Sequence, residues 1–212
     1  MLRNNLSMLL TERQLRISKL ANDTGISRTT LTSLSTNSSK MVQIDTVNRL
    51  CQALKIQPAD FFEYVPFDFE YTFDEGEPSP DNAENSIPTF DSMLFINVTE
   101  NNSRVDTIEL QGFTEYYNFN GASGSGTLMT GTGLYPSNTE QLDKLDSYLK
   151  QMSVAFISDL KKEIANVIED SLTSGSENKV DSSCEINFDE TFEQYQAKLK
   201  NRNTNSSPTD SE

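Results

Sequence analysis

Along the first 65 residues, apolar side chains recur at intervals of three and four. Leu2, Leu6, Leu9 and Leu10 share one face of a helix that ends near Glu12 to Gln14, while Arg3, Asn5 and Ser7 point elsewhere. Ile17, Leu20 and Ala21 mark a short second helix over 17–24, and Gly25 follows where a left-handed residue closes a helix at little cost. Ser27 is a good N-cap for a third helix running to about Thr36, and Ile26 just before it can staple onto Leu31. Leu31 and Leu34 give that helix its inward stripe. Asp45 can cap a fourth helix that buries Val47, Leu50, Cys51 and Leu54, and Pro58 opens a fifth that carries Phe61 and Phe62.

The period changes to two at Phe67. Phe67, Phe69, Tyr71 and Phe73 alternate with Asp68, Glu70, Thr72 and Asp74, which is a strand pattern. Glu75 to Pro88 is acidic and polar with Pro78, Pro80 and Pro88, and cannot bury enough apolar surface to offset ordering entropy; it is expected to be a linker or mobile loop. Strand candidates over 93–98, 105–110, 114–119 and 127–130 point to a small antiparallel sheet. From Ser137 to about Leu172 the helical spacing returns, in one long helix or in two with a break near Ser153 and Val154. A short run over 185–188 and an amphipathic segment with Phe192, Tyr195 and Leu199 follow. The organisation expected is an all-α five-helix domain over 1–66, a strand-like segment and acidic Pro-rich linker over 67–90, an α+β domain with a small antiparallel sheet and a long helix over 91–200, and a disordered tail over 201–212.

Charge sharpens this division. Residues 1–65 hold eight basic and five acidic side chains, a net of +3, and the remainder holds nine basic and 27 acidic, a net of −18, which together give the chain's −15. A mildly basic head before a strongly acidic body is the asymmetry of a chain that touches nucleic acid at one end only.

Several chemistries are excluded by residue type. The chain has no histidine, which removes the commonest general base and metal ligand, and its two cysteines, Cys51 and Cys184, lie far apart without a ligand set. No enzyme activity, cofactor or metal is expected, and both cysteines are expected to be reduced. No segment has the roughly 18–20 apolar residues of a membrane span and no secretory signal is seen, so a cytoplasmic protein is expected. The aromatic alternation from Phe67 to Phe73 is not a base-stacking platform, because Asp68, Glu70 and Asp74 interleave it. The glycines from Gly121 to Gly133 lack the Gly-Lys-Ser/Thr ending of a phosphate loop.

The run Leu20, Ala21, Gly25, Ile26, Leu31 and Leu34, followed by Asp45, Leu50, Cys51, Leu54, Ile56, Pro58, Phe61 and Phe62, resembles the helix-turn-helix of the phage-repressor and Cro-like (XRE) family. The resemblance covers about Leu2 to Tyr64 and departs from the family pattern at Ile17 and at Asn37-Ser38. It implies a lambda-repressor-like fold for the N-terminal domain and sequence-specific binding of double-stranded DNA, with the third helix in the major groove. With Leu31 and Leu34 inward, Arg28, Thr29, Thr32, Ser33 and Thr36 face outward, and Arg28, Thr29, Thr32 and Ser33 are the expected readers of bases. Arg3, Arg13, Arg16, Lys19 and Lys40 are the candidates for phosphate contacts.

A repressor of phage or mobile-element type is therefore expected, acting as a homodimer. The stripe Leu142, Leu145, Leu149, Met152 and Phe156 is available either for a second copy or for the chain's own sheet. No Ala-Gly cleavage site occurs, so induction is expected from an antirepressor or another partner acting on the C-terminal domain. The alternative is an antitoxin or accessory regulator whose acidic body binds a basic protein.

Overall fold

The computed structural model describes residues 1–79, 87–117, 127–174, 176 and 179–205, and the chain divides into two compact units, 1–66 and 67–212. In the first unit, β1 (Leu2–Asn4) precedes α1 (Leu6–Glu12), α2 (Ile17–Thr24), α3 (Arg28–Ser35), α4 (Ile44–Leu54) and α5 (Pro58–Phe61), and β2 (Phe62–Tyr64) closes it. The helices form because each sinks an aliphatic stripe into one cluster that joins Leu6, Leu20, Leu31, Leu50, Leu54 and Phe61. Each such side chain contributes roughly 1.5–3 kcal/mol on burial.

The ends of the unit differ from the sequence expectation. Leu2, expected on the first helix, lies on β1 and is 61% exposed, because β1 pairs antiparallel with β2 and turns Arg3 inward instead. Phe62, expected on the fifth helix, belongs to β2; α5 is a single turn after Pro58, and the backbone becomes extended at Phe62. Asp45, expected as the cap of α4, sits in the first turn behind Gln43 and pairs with Arg49 at 2.8 Å. A carboxylate in that turn still suits the helix dipole.

The second unit runs β3 (Asp68–Pro78), β4 (Thr89–Glu100), β5 (Ser103–Tyr116), β6 (Leu128–Pro136), α6 (Thr139–Leu149), α7 (Val154–Ser174), β7 (Val180–Ile186) and α8 (Phe192–Asn205). Among the described residues it is a five-stranded sheet in the order β3-β4-β5-β6-β7, antiparallel as far as β6 and parallel between β6 and β7. The small antiparallel sheet expected from the sequence is thus corrected to a larger mixed one. The reason is the segment read simply as helical: α6 and α7 form the long crossover that a parallel pair requires.

Further boundaries move for local reasons. Glu75 to Pro78, expected in a linker, extend β3, with Glu75 paired to Ser92 and Pro78 to Phe90 across an irregularity. An edge strand tolerates both the proline and the acidic side chains. Residues 80–86 of that expected linker lie outside the described residues, as do Phe119, Gly121, Gly124 and Gly126. β5 joins two expected strands by running straight through Gly112, where a Cβ would stand 1.7 Å from the Gly133 carbonyl oxygen. Residues 201–205, expected in a disordered tail, continue α8, and 206–212 lie outside the described residues.

Phe73, Leu94 and Leu110 align across neighbouring strands and are buried, which defines the core face of the sheet. α7, about 30 Å long at 1.5 Å per residue, buries Phe156, Leu160, Ile164, Ile168 and Leu172 and packs on both edge strands, β3 and β7. The helical stretch is broken before α7, where the Ser153 hydroxyl accepts a hydrogen bond from the Phe156 amide at 3.2 Å. Leu145 and Phe156 are buried and Leu142, Leu149 and Met152 half-buried within the unit, so the stripe held open for a second copy is used by the chain itself. α8 packs on β6 through Tyr195, whose ring stacks on Tyr135 with centroids 4.3 Å apart.

Candidate nucleic-acid interface

The turn between α2 and α3 is braced by its own side chains. Gly25 takes φ 69°, and its amide donates to the Ala21 carbonyl at 2.9 Å. The Thr24 hydroxyl donates to the Leu20 carbonyl at 2.6 Å and accepts the Ile26 amide at 3.3 Å. Ser27 then caps α3, its hydroxyl accepting the Thr30 amide at 3.1 Å. With both sides of the turn fixed, the direction in which α3 leaves α2 is set locally.

α3 sinks Leu31 and Leu34 into the core and leaves Arg28, Thr29, Thr32 and Thr36 exposed, with Ser33 half-buried. Thr36 bonds back to the Thr32 carbonyl at 3.1 Å. Beside α3 and the start of α4 lies a groove of about 490 Å³ whose walls include Thr29, Ser33, Met41, Gln43 and Thr46. Met41, at 89% exposed, and Gln43 were not singled out from the sequence; a large apolar side chain in a polar loop is the signal that would have found the first.

The cations separate into two groups. Arg16, Lys19, Arg28 and Lys40 are exposed, and among the described residues no ion pair holds them. Lys40 lies in the loop just after α3, and Arg16 and Lys19 stand at the start of α2. Arg13, although exposed, gives its guanidinium to the Leu54 carbonyl at the end of α4, where a cation meets the negative end of the helix. Arg3 is 8% exposed on β1 and its Nε lies 3.3 Å from the Met1 sulfur. Arg3, expected at a phosphate, is thus turned into the unit by the strand pairing.

One contact at the far end of α3 was not foreseen. Asn37 takes φ 53° and ends the helix in a Schellman pattern, its amide donating to the Leu34 carbonyl and the Ser38 amide to the Ser33 carbonyl, each at 3.0 Å. Its side-chain amide meets Asn4 of β1: Oδ1 accepts the Asn4 backbone amide at 2.9 Å and Nδ2 at 2.8 Å, and Asn37 Nδ2 donates to the Asn4 carbonyl at 3.1 Å. An asparagine just past a helix was a legible stop signal, but its partner 33 residues away was not.

The remaining chemistry is sparse. Burial pushes the Cys51 and Cys184 thiols up, so both stay protonated at neutral pH. Among the described residues no group of three His, Cys, Asp or Glu side chains could hold a metal ion, and no helix is long and apolar enough to cross a membrane.

Residues 5–66 match the model of the Cro/C1-type HTH DNA-binding domain. Over 60 residues the chain is 30% identical to the "Uncharacterized HTH-type transcriptional regulator YozG" of Bacillus subtilis (strain 168), which spans 28% of this chain and 71% of that protein. A solved structure, "Crystal structure of a putative DNA-binding protein from Bacteroides fragilis", aligns over 30% of this chain and all of that one, at 24% identity and a TM-score of 0.28. The braced turn and the two inward leucines lie in the segment that the family model and the Bacillus relative both match, and through it the chain belongs to the Cro/C1-type helix-turn-helix family of transcriptional regulators.

Proposed function

We propose that the protein is a sequence-specific transcriptional repressor of phage or mobile-element type that acts on double-stranded DNA in the cytoplasm and reads the major groove with α3. The observation that carries this reading is the face of α3: Arg28, Thr29 and Thr32 are exposed and Ser33 lines the groove, while Leu31 and Leu34 hold the helix to its bundle. A row of threonine and serine is poor helix material with no packing reward, so its presence on an exposed face fits contact with base edges. Arg28 has the fork geometry for a guanine edge, and the threonine methyls suit thymine methyls. Lys40, Arg16 and Lys19, all exposed, are the cations we assign to phosphates. Arg13 has a lesser part, since its guanidinium also closes α4.

One such module reads few base pairs, and a homodimer bound to two half-sites one helical turn apart supplies the missing specificity. The −18 carried by residues 66–212 keeps that unit off the phosphates and leaves the helical unit to make the contact.

The test is a pair of variants measured against salt on duplexes selected from a random pool. Arg28→Ala costs about 1–3 kcal/mol of binding and relaxes one base position, whereas Lys40→Ala weakens all sequences alike and flattens the salt slope by roughly one unit. Equal losses on selected and scrambled duplexes for Arg28→Ala would remove it as a base reader. A sedimentation mass of one chain on the selected duplex would remove the dimer.

A further inference from the structure

We infer that the Asn4–Asn37 amide pair is a positioning lock, through which the β1–β2 ribbon sets the pose of the last turn of α3 on DNA; this rests on the reading of α3 as the DNA-contacting helix. α3 has eight residues, little more than two turns, and its core anchors are Leu31 and Leu34. Its first turn is fixed by the Ser27 cap, but the outward side chains nearest its end, Thr32, Ser33 and Thr36, lie beyond the reach of that cap. The ribbon holds this end. Asn4 Nδ2 donates to the Leu34 carbonyl at 2.9 Å as well as to Asn37 Oδ1, and Asn4 Oδ1 accepts the Leu6 amide at 3.1 Å. Asn4 itself pairs with Phe62 in the ribbon.

A helix stop alone does not explain this arrangement. A left-handed residue after a helix is served by glycine as well as by asparagine. Here the asparagine amide uses both its oxygen and its nitrogen on Asn4, so each end of the pair fixes the other in distance and in rotation. Base readout depends on bidentate geometry along the whole helix, and a last turn free to tilt loses discrimination before it loses phosphate contacts. Asn4 and Asn37 are positioning residues: nothing here requires either to touch DNA.

Asn37→Gly separates the two roles, since glycine keeps the left-handed backbone and removes only the amide. With the full chain, a pool of duplexes carrying randomised base pairs is first selected by the unchanged protein, and binding is then measured at a temperature where all variants are folded by circular dichroism. Asn37→Gly is expected to lose about tenfold in affinity for the selected duplex, the equivalent of one hydrogen-bonded contact, while binding of a scrambled duplex and the salt slope stay unchanged. Asn4→Ala keeps the two backbone bonds to Asn37 and removes the Nδ2 bonds to Asn37 Oδ1 and the Leu34 carbonyl, so it is expected to lose discrimination in the same pattern, and the double variant to lose less than the sum of the two, because they share the Nδ2–Oδ1 bond. Unchanged discrimination by Asn37→Gly, equal losses on selected and scrambled duplexes, or additive losses in the double variant would overturn the lock while leaving the DNA-reading function intact. Failure of the unchanged protein to enrich any sequence would overturn that function, and the lock with it.

Discussion

The two units bury their cores in different materials. In residues 1–66 the cluster is built on eight leucines, Leu6, Leu9, Leu10, Leu20, Leu31, Leu34, Leu50 and Leu54, and the amide lock is only part-buried. In residues 67–212 the aliphatic side chains share the core with hydroxyls: Ser92, Thr114 and Thr132 form a fully buried chain at 2.8 and 3.0 Å, and the buried Thr130 hydroxyl has no hydrogen-bond partner among the described residues. Glycine replaces bulk where strands and rings crowd, with Gly133 lying under Phe113 and Gly131 under Tyr117. The difference separates two ways of specifying a fold. Leucines at helical spacing require only the right volume on the right face, whereas a sheet must also fix its register, and hydrogen bonds and steric gaps do so at particular positions.

That contrast can be tested by removal. Leu31→Ala deletes a side chain with no exposure from the smaller unit and is expected to cost about 2–5 kcal/mol, read as a lower denaturant midpoint with amide exchange rising across residues 1–66. Gly112→Ala sets a methyl against the Gly133 carbonyl, and since backbone on both sides must shift, the cost is about 3 kcal/mol, at the upper end for overpacking. Its control is Gly131→Ala, which meets only the half-exposed Tyr117 ring and should melt close to the parent protein in calorimetry. Thr114→Val strands two neighbouring hydroxyls at once and should cost about 1–3 kcal/mol by chemical denaturation. Thr130→Val should do the opposite and stabilise by about 1 kcal/mol, because a methyl takes the place of a hydroxyl that is desolvated and unbonded. A loss of stability for Thr130→Val would show that an unpaired hydroxyl is not what sets this position apart from Thr114.

Legibility in the sequence follows the same division. The spans of α2 and α3, the Gly25 stop, the Ser27 cap and the inward pair Leu31 and Leu34 are properties of neighbouring residues, and each could be read from period and end signals. The exposed face with Arg28, Thr29 and Thr32 followed from them. What could not be read is long-range. Three-residue strands carry no alternation, so β1 and β2 went unseen, and with them the burial of Arg3 and the partner of Asn37. In the second unit β4 and β5 were found in pieces, but β7, Val180–Ile186, is polar at its centre, and its parallel pairing with β6 is encoded in no local pattern.

The parallel pair also has a consequence for synthesis. Leu128 of β6 meets Val180 of β7, so this last strand emerges only after both crossover helices have been made. At roughly 5–20 residues per second, the nascent meander carries an open β6 rim for several seconds. An unpaired rim of this kind is a template for strand pairing, and slowing translation across α6 and α7 is expected to raise the aggregated fraction of newly made chains.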